Sequence, residues 1–153
     1  MIKHEWYHNP VRKLYLLFLF LTAICIALPE GVAQSNDLPS FRGGMWEFNR
    51  TMEGAGSQGK SQAITSKKCT NPTEDMKRQN KMLLKAGCEF SPITRSRNTY
   101  SFTSDCTLQG ASAQGKTIVS VENDSAYTVH IETRQGNQVT KETLSARRIG
   151  ECP

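Results

Sequence analysis

The sequence predicts a mainly β (α+β) domain: a single twisted antiparallel meander sheet or partly closed barrel. One helix is inserted between the second and third strands, and two disulfides staple the whole. Three observations carry this. Apolar side chains recur at period two through successive stretches, as half-buried strands require. One segment alone, 72–86, has helix punctuation at both ends. Four of the five cysteines, Cys69, Cys88, Cys106 and Cys152, are spread through the region that follows an apolar leader, an even set that reads as a disulfide framework.

The leader comes first in the chain. Lys3, Arg12 and Lys13 outweigh Glu5, and residues 14–28 are apolar except for Thr22. Gly31 and Ala33 then stand at the −3 and −1 positions of a cut before Gln34. A basic start, a short apolar run and a small-x-small site describe a secretory signal peptide over 1–33. The run is shorter than the roughly 20 apolar residues that span a bilayer and ends at Pro29, so no stable membrane insertion is expected after cleavage. Cys25 follows Ile24, where an acylated lipoprotein cysteine would follow a small residue. Export places the remaining domain, 34–153, in an oxidising, periplasmic or otherwise extracytoplasmic compartment, where disulfides persist. That domain keeps 16 basic and 12 acidic residues, a net charge of +4. So small and scattered an excess speaks to solubility rather than to nucleic acid.

Along the domain, Trp46, Phe48 and Met52 alternate with Glu47, Asn49 and Thr51 and form a first strand. Gly54, Gly56 and Gly59 make a turn, and 60–69 gives a polar second strand with Ile64 as its large apolar residue. For the helix, Asn71 is the N-cap, Pro72 fits the first position, and Glu74 and Asp75 suit the positive end of the dipole. Lys81 and Lys85 lie toward the other end, Gly87 closes it, and Met76, Leu83 and Ala86 share the face that meets the sheet. Phe90, Pro92 and Ile93 read as an irregular edge strand. Tyr100, Phe102 and Cys106 alternate in the next, followed by Thr117, Val119 and Val121, then Tyr127, Val129 and Ile131. A three-residue loop at 123–125 matches the apolar faces of the last two. A two-residue turn at Gly136 and Asn137 then sets Val129 opposite Leu144, Tyr127 opposite Ala146 and Glu132 opposite Lys141.

The cysteines lie 17 or more residues apart and no CxxC occurs, so neither a zinc ribbon nor a thioredoxin-like centre has its signature. The pairing expected is Cys69 with Cys88, tying the ends of the helical segment, and Cys106 with Cys152. Its weak point is a helix of roughly 22 Å between the first two. Cys69 with Cys106 and Cys88 with Cys152 is the alternative.

No cofactor or metal is implied by the remaining residues. There is no phosphate loop, no dinucleotide fingerprint and no GxSxG nucleophile. His130 is the only histidine after the leader, on the polar face between Thr128 and Glu132. It reads as an exposed strand histidine. A small hydrolase would instead use His130 as base, oriented by Glu132, beside a serine or threonine. Trp46, Phe48, Tyr100 and Phe102 either line a ligand-binding concavity or fill the core.

A set of spaced motifs has a further meaning. Gly44-Met45-Trp46-Glu47, Cys69-Thr70-Asn71-Pro72, Cys88, Cys106 and the ending Ala146-Arg147-Arg148-Ile149-Gly150-Glu151-Cys152 together resemble the bacterial exported proteins of domain of unknown function 3617. The resemblance spans the domain and implies an extracytoplasmic location, with no catalytic or ligand residues to carry over. The family often has a Met- and Pro-rich stretch after the first strand, where this chain has its glycine-rich turn. The reading that follows is a non-enzymatic envelope binding or accessory module. Its partner would be a small apolar ligand or an anionic envelope component. The alternatives are the His130/Glu132 hydrolase and a structural protein-interaction module.

Overall fold

The computed structural model of the chain describes residues 33–35, 37–54, 61–108 and 110–153. The signal peptide read from 1–33 lies outside them except for Ala33, as does most of the glycine-rich turn. The described residues belong to one compact unit, 32–153.

Among the described residues nine strands form one antiparallel sheet. They are β1 (Ala33–Ser35), β2 (Gly44–Gly54), β3 (Gln62–Thr70), β4 (Cys88–Phe90), β5 (Ile93–Ser96), β6 (Thr99–Leu108), β7 (Ala111–Asn123), β8 (Ala126–Gln135) and β9 (Gln138–Gly150). The helix, Pro72–Lys85, follows the two long N-terminal strands as expected, with the short β1 added before them. The sheet order is β1-β5-β6-β7-β8-β9-β2-β3, with β4 also on β6. Strands β5 to β9 form the expected meander. The last strand, however, then pairs with β2, so the β2–β3 hairpin extends the far side of the sheet. The sheet stays open, with β1 and β3 as its edges.

This order explains the helix. The chain leaves β3 at one edge and must reach β4 near the other, and the helix carries it back across one face. Asn71 Oδ1 accepts from the Thr73 and Glu74 amides at 3.0 and 3.4 Å, and Pro72 occupies the first turn, where its missing N–H costs nothing. At the other end Ala86 caps, and Gly87, at φ +93°, takes the left-handed turn that releases the chain into β4.

The registers follow the apolar alternation. Tyr127 faces Ala146, Val129 faces Leu144 and Glu132 faces Lys141, with the turn at Gly136 and Asn137. Val119 faces Val129 and Val121 faces Tyr127, and a register shift lies before Asn123. Period two then assigns two faces. The inner face, beneath the helix, gathers Trp46, Tyr100, Val119, Tyr127, Val129 and Ala146 with Phe41 from the lead-in. The outer face carries polar and charged residues. Burying one face and wetting the other is what fixes such a register, since a one-residue slip would invert both.

The disulfides correct the expected pairing. Cys69 bonds Cys152 and Cys88 bonds Cys106, with Cα separations of 5.4 and 4.0 Å. The helix holds β3 and β4 toward opposite edges of the sheet, so Cys69 and Cys88 cannot meet. Cys88 instead stands directly across the β4–β6 ladder from Cys106. The β2–β9 pairing brings the C-terminal residues beside Cys69, whose ladder partner is Met45.

Candidate ligand cavity

The inner face is filled at one end and hollow at the other. At the filled end Phe41 stacks on Tyr127 with centroids 4.3 Å apart, and Trp46 lies 5.7 Å from Tyr127 and 6.1 Å from Phe41. Trp46 is fully buried, and its indole N–H donates to the Arg42 carbonyl at 3.0 Å. Thr73 in the first helical turn joins this end to the lead-in. Its hydroxyl donates to the Pro39 carbonyl at 3.0 Å and accepts from the Phe41 amide at 2.8 Å. Burial, with the Asp75 charge adding to it, pushes the Tyr127 phenol well above its ordinary pKa, so it stays neutral.

Between the helix and the rest of the inner face lies a cavity of about 390 Å³. The helix contributes Met76, Gln79, Asn80 and Leu83, at the spacing that puts them on one side. The sheet contributes Phe102, Val129, Ile131 and Leu144 among others, and Leu38 comes from the lead-in. Among the described residues two charged ones line it, Arg50 and Glu142, an ion pair with Arg50 Nε 3.0 Å from Glu142 Oε1. A second depression of about 300 Å³ shares Asn80, Phe90 and Phe102 with the first, and the two phenylalanines meet edge to face at 5.9 Å.

The four aromatics singled out from the sequence therefore sit differently. Trp46 and Tyr100 belong to the buried core, Phe48 packs against it, and Phe102 stands on the cavity wall. Cys106 also lines the cavity, while Cys88 is buried beside it. Arg50, Glu142, Met76 and Leu83 complete the wall. The sequence signal for the charged pair was weak: Arg50 shares the face of Trp46 and Phe48, a charge on an otherwise apolar stripe.

His130 is on the outer face, exposed, with Nδ1 3.1 Å from the Thr143 hydroxyl on β9. Glu132 accepts from Arg134 at 3.1 Å rather than orienting the imidazole. Lys116, Glu132, Lys141 and Glu53 follow one another across four strands in register, a row of alternating charge on a solvated face. Among the described residues no group of three or more histidine, cysteine or carboxylate side chains is placed to hold a metal ion.

Three of the spaced motifs, those around Gly44, Cys69 and Arg148, converge on one corner. Gly44 has φ +148°, and a Cβ there would lie 2.5 Å from Arg148 Nε. Arg148 uses that space to donate from Nε to the Gly43 carbonyl at 2.9 Å and to pair with Glu151. The Arg148 amide donates to the Ser125 carbonyl, and the Arg42 amide to that of Asp124, which ties the corner to the β7–β8 turn. Arg147 points the other way, opposite Glu47. Strands β2 and β9 are thus locked together by a glycine and an arginine, and the Cys69–Cys152 bond ties β3 to the residues that follow β9. These residues serve architecture.

No curated protein and no solved structure matches the chain. A family described as protein of unknown function (DUF3617) matches residues 41–152, from the lead-in phenylalanine to the last cysteine. The match takes in Gly44, Trp46, Arg148 and all four disulfide cysteines, and the chain belongs to the DUF3617 family.

Proposed function

We propose that the chain is an exported, periplasmic protein whose domain is a non-enzymatic binding module of the bacterial envelope, holding a small apolar ligand beneath its helix. The cavity carries this reading. Its volume of about 390 Å³ lies within the roughly 300–1,000 Å³ of small-molecule sites, and its walls join apolar side chains to a few convergent polar groups. Export is supported by the leader pattern at 1–33 and by two disulfides, which belong to oxidising compartments. Among the described residues no helix is long and apolar enough to cross a membrane.

The test begins with expression of the full chain and recovery from the periplasm. N-terminal sequencing is expected to read from Gln34. Native mass spectrometry after incubation with envelope extract is expected to show a retained apolar mass, displaced by organic solvent. A protein that stays cytoplasmic, or one that carries no adduct from any extract, would overturn the corresponding half of the reading.

A further inference from the structure

Resting on that cavity reading, we infer that the ligand is a single-chain amphiphile with a carboxylate head, a medium-chain fatty acid, and that Arg50 is the head-group receptor. Among the described residues that line the cavity, Arg50 and Glu142 are the charged ones. They are unequal. The Arg50 side chain is 48% exposed and that of Glu142 19%, so the cation is the charge an incoming group meets.

Arg50 meets Glu142 as an ion pair on its Nε side, 3.0 Å from Oε1. The two terminal nitrogens have no partner among the described residues. They present the planar fork that takes a carboxylate through two parallel hydrogen bonds. The side-chain amides of Gln79 and Asn80, on the helix side of the same cavity, offer further N–H donors. Behind them, Leu83, Met76, Ile131 and Leu144 supply the apolar surface for a chain. At about 390 Å³ the space suits one chain rather than the two of a phospholipid. Methionine, unbranched and polarizable, suits a wall that must fit a flexible chain.

Glu142 acts as a brake. It fixes the Arg50 side chain but places a negative charge beside the one that binds. Removing that charge strengthens anion binding, and removing Arg50 abolishes the preference for an anion. This sign pattern separates head-group recognition from simple apolar filling.

Calorimetric titration of the mature protein with sodium decanoate and with 1-decanol tests it. Decanoate is expected to bind about tenfold tighter than decanol, the preference shrinking as salt rises. Arg50→Gln is expected to level the two affinities by weakening decanoate more than decanol. Arg50→Lys is expected to keep part of the preference, and Glu142→Gln to widen it. Circular dichroism and decanol binding report whether each variant is folded. Equal affinities in the native protein, or a preference that survives Arg50→Gln, would overturn the head-group inference alone. If neither probe binds, the cavity reading falls with it.

Discussion

The two ends of the inner face are built from the same strands yet differ in how they are finished. Toward the helix N-terminus, three aromatic rings, the buried Thr73 and the Arg148 corner pack together. Toward the other end, the same sheet carries Thr117, Thr133, Gly115 and the Arg50–Glu142 pair, and the helix stands over a hollow. The difference teaches that close packing and open space are divided along the sheet. One end supplies the close packing that holds the fold, which leaves the other free to remain underfilled at a cost the whole can bear.

Each end has its own disulfide, and removing them one at a time gives the largest contrast. Cys69–Cys152 closes a loop of 83 residues at the filled end, and Cys88–Cys106 one of 18 at the hollow end. In the chain-entropy account their loss costs about 4.5 and about 3 kcal/mol respectively. Urea unfolding of C69S/C152S and C88S/C106S under oxidising conditions measures both. The comparison breaks if the short-loop variant is the less stable.

A smaller but cleaner contrast makes the same chemical change at both ends. Thr73→Val removes a buried hydroxyl that serves two backbone groups, leaving the Phe41 amide and the Pro39 carbonyl without it. The expected loss is about 1–3 kcal/mol. Thr117→Val, on the cavity wall, should move stability by no more than about 0.5 kcal/mol. Thermal denaturation of the two variants side by side decides it. Equal effects would mean that the hollow end is as tightly specified as the filled one.

Much of this was legible in the sequence because it depends on local signals. The strand alternation, the helix with Asn71, Pro72 and Gly87, and the β8–β9 register all follow from neighbours within a few residues. What failed to show was the long-range pairing of β9 with β2. No local pattern announces that Glu47 and Arg147 are partners, and without that pairing Cys152 has no visible reason to meet Cys69. The cavity was half legible for a similar reason. Period two put Trp46, Tyr100 and Phe102 on one face, but which end the helix and lead-in would fill depends on Phe41 and Thr73, far apart in sequence. The outer-face partner of His130, Thr143, is likewise fixed by the β8–β9 register rather than by any motif.

The smallest expected effect is a response to acid at the filled end. Burial raises the pKa of Asp75, but hydrogen bonds from Thr70 and Lys68 and the charges of Lys68 and Arg78 outweigh it, so the carboxyl sits below its ordinary value of 3.8. A group whose folded pKa is depressed contributes stability that is fully present above the unfolded value. That contribution is lost as the pH falls through the folded one. The loss therefore lies below about pH 4. Its size is a few tenths of a kcal/mol, because the partners are largely exposed and water screens them. The effect should be local: Asp75 lies in the first helical turn, where Lys68 of β3 meets the helix, and its protonation loosens the helix N-terminus. Hydrogen exchange between pH 5 and 3 on the native protein and on Asp75→Asn reports this. The native protein should lose protection around 73–76 on acidification, while the variant starts lower and changes less. If the amides over the cavity respond first instead, the filled end is not the end that this ion pair holds.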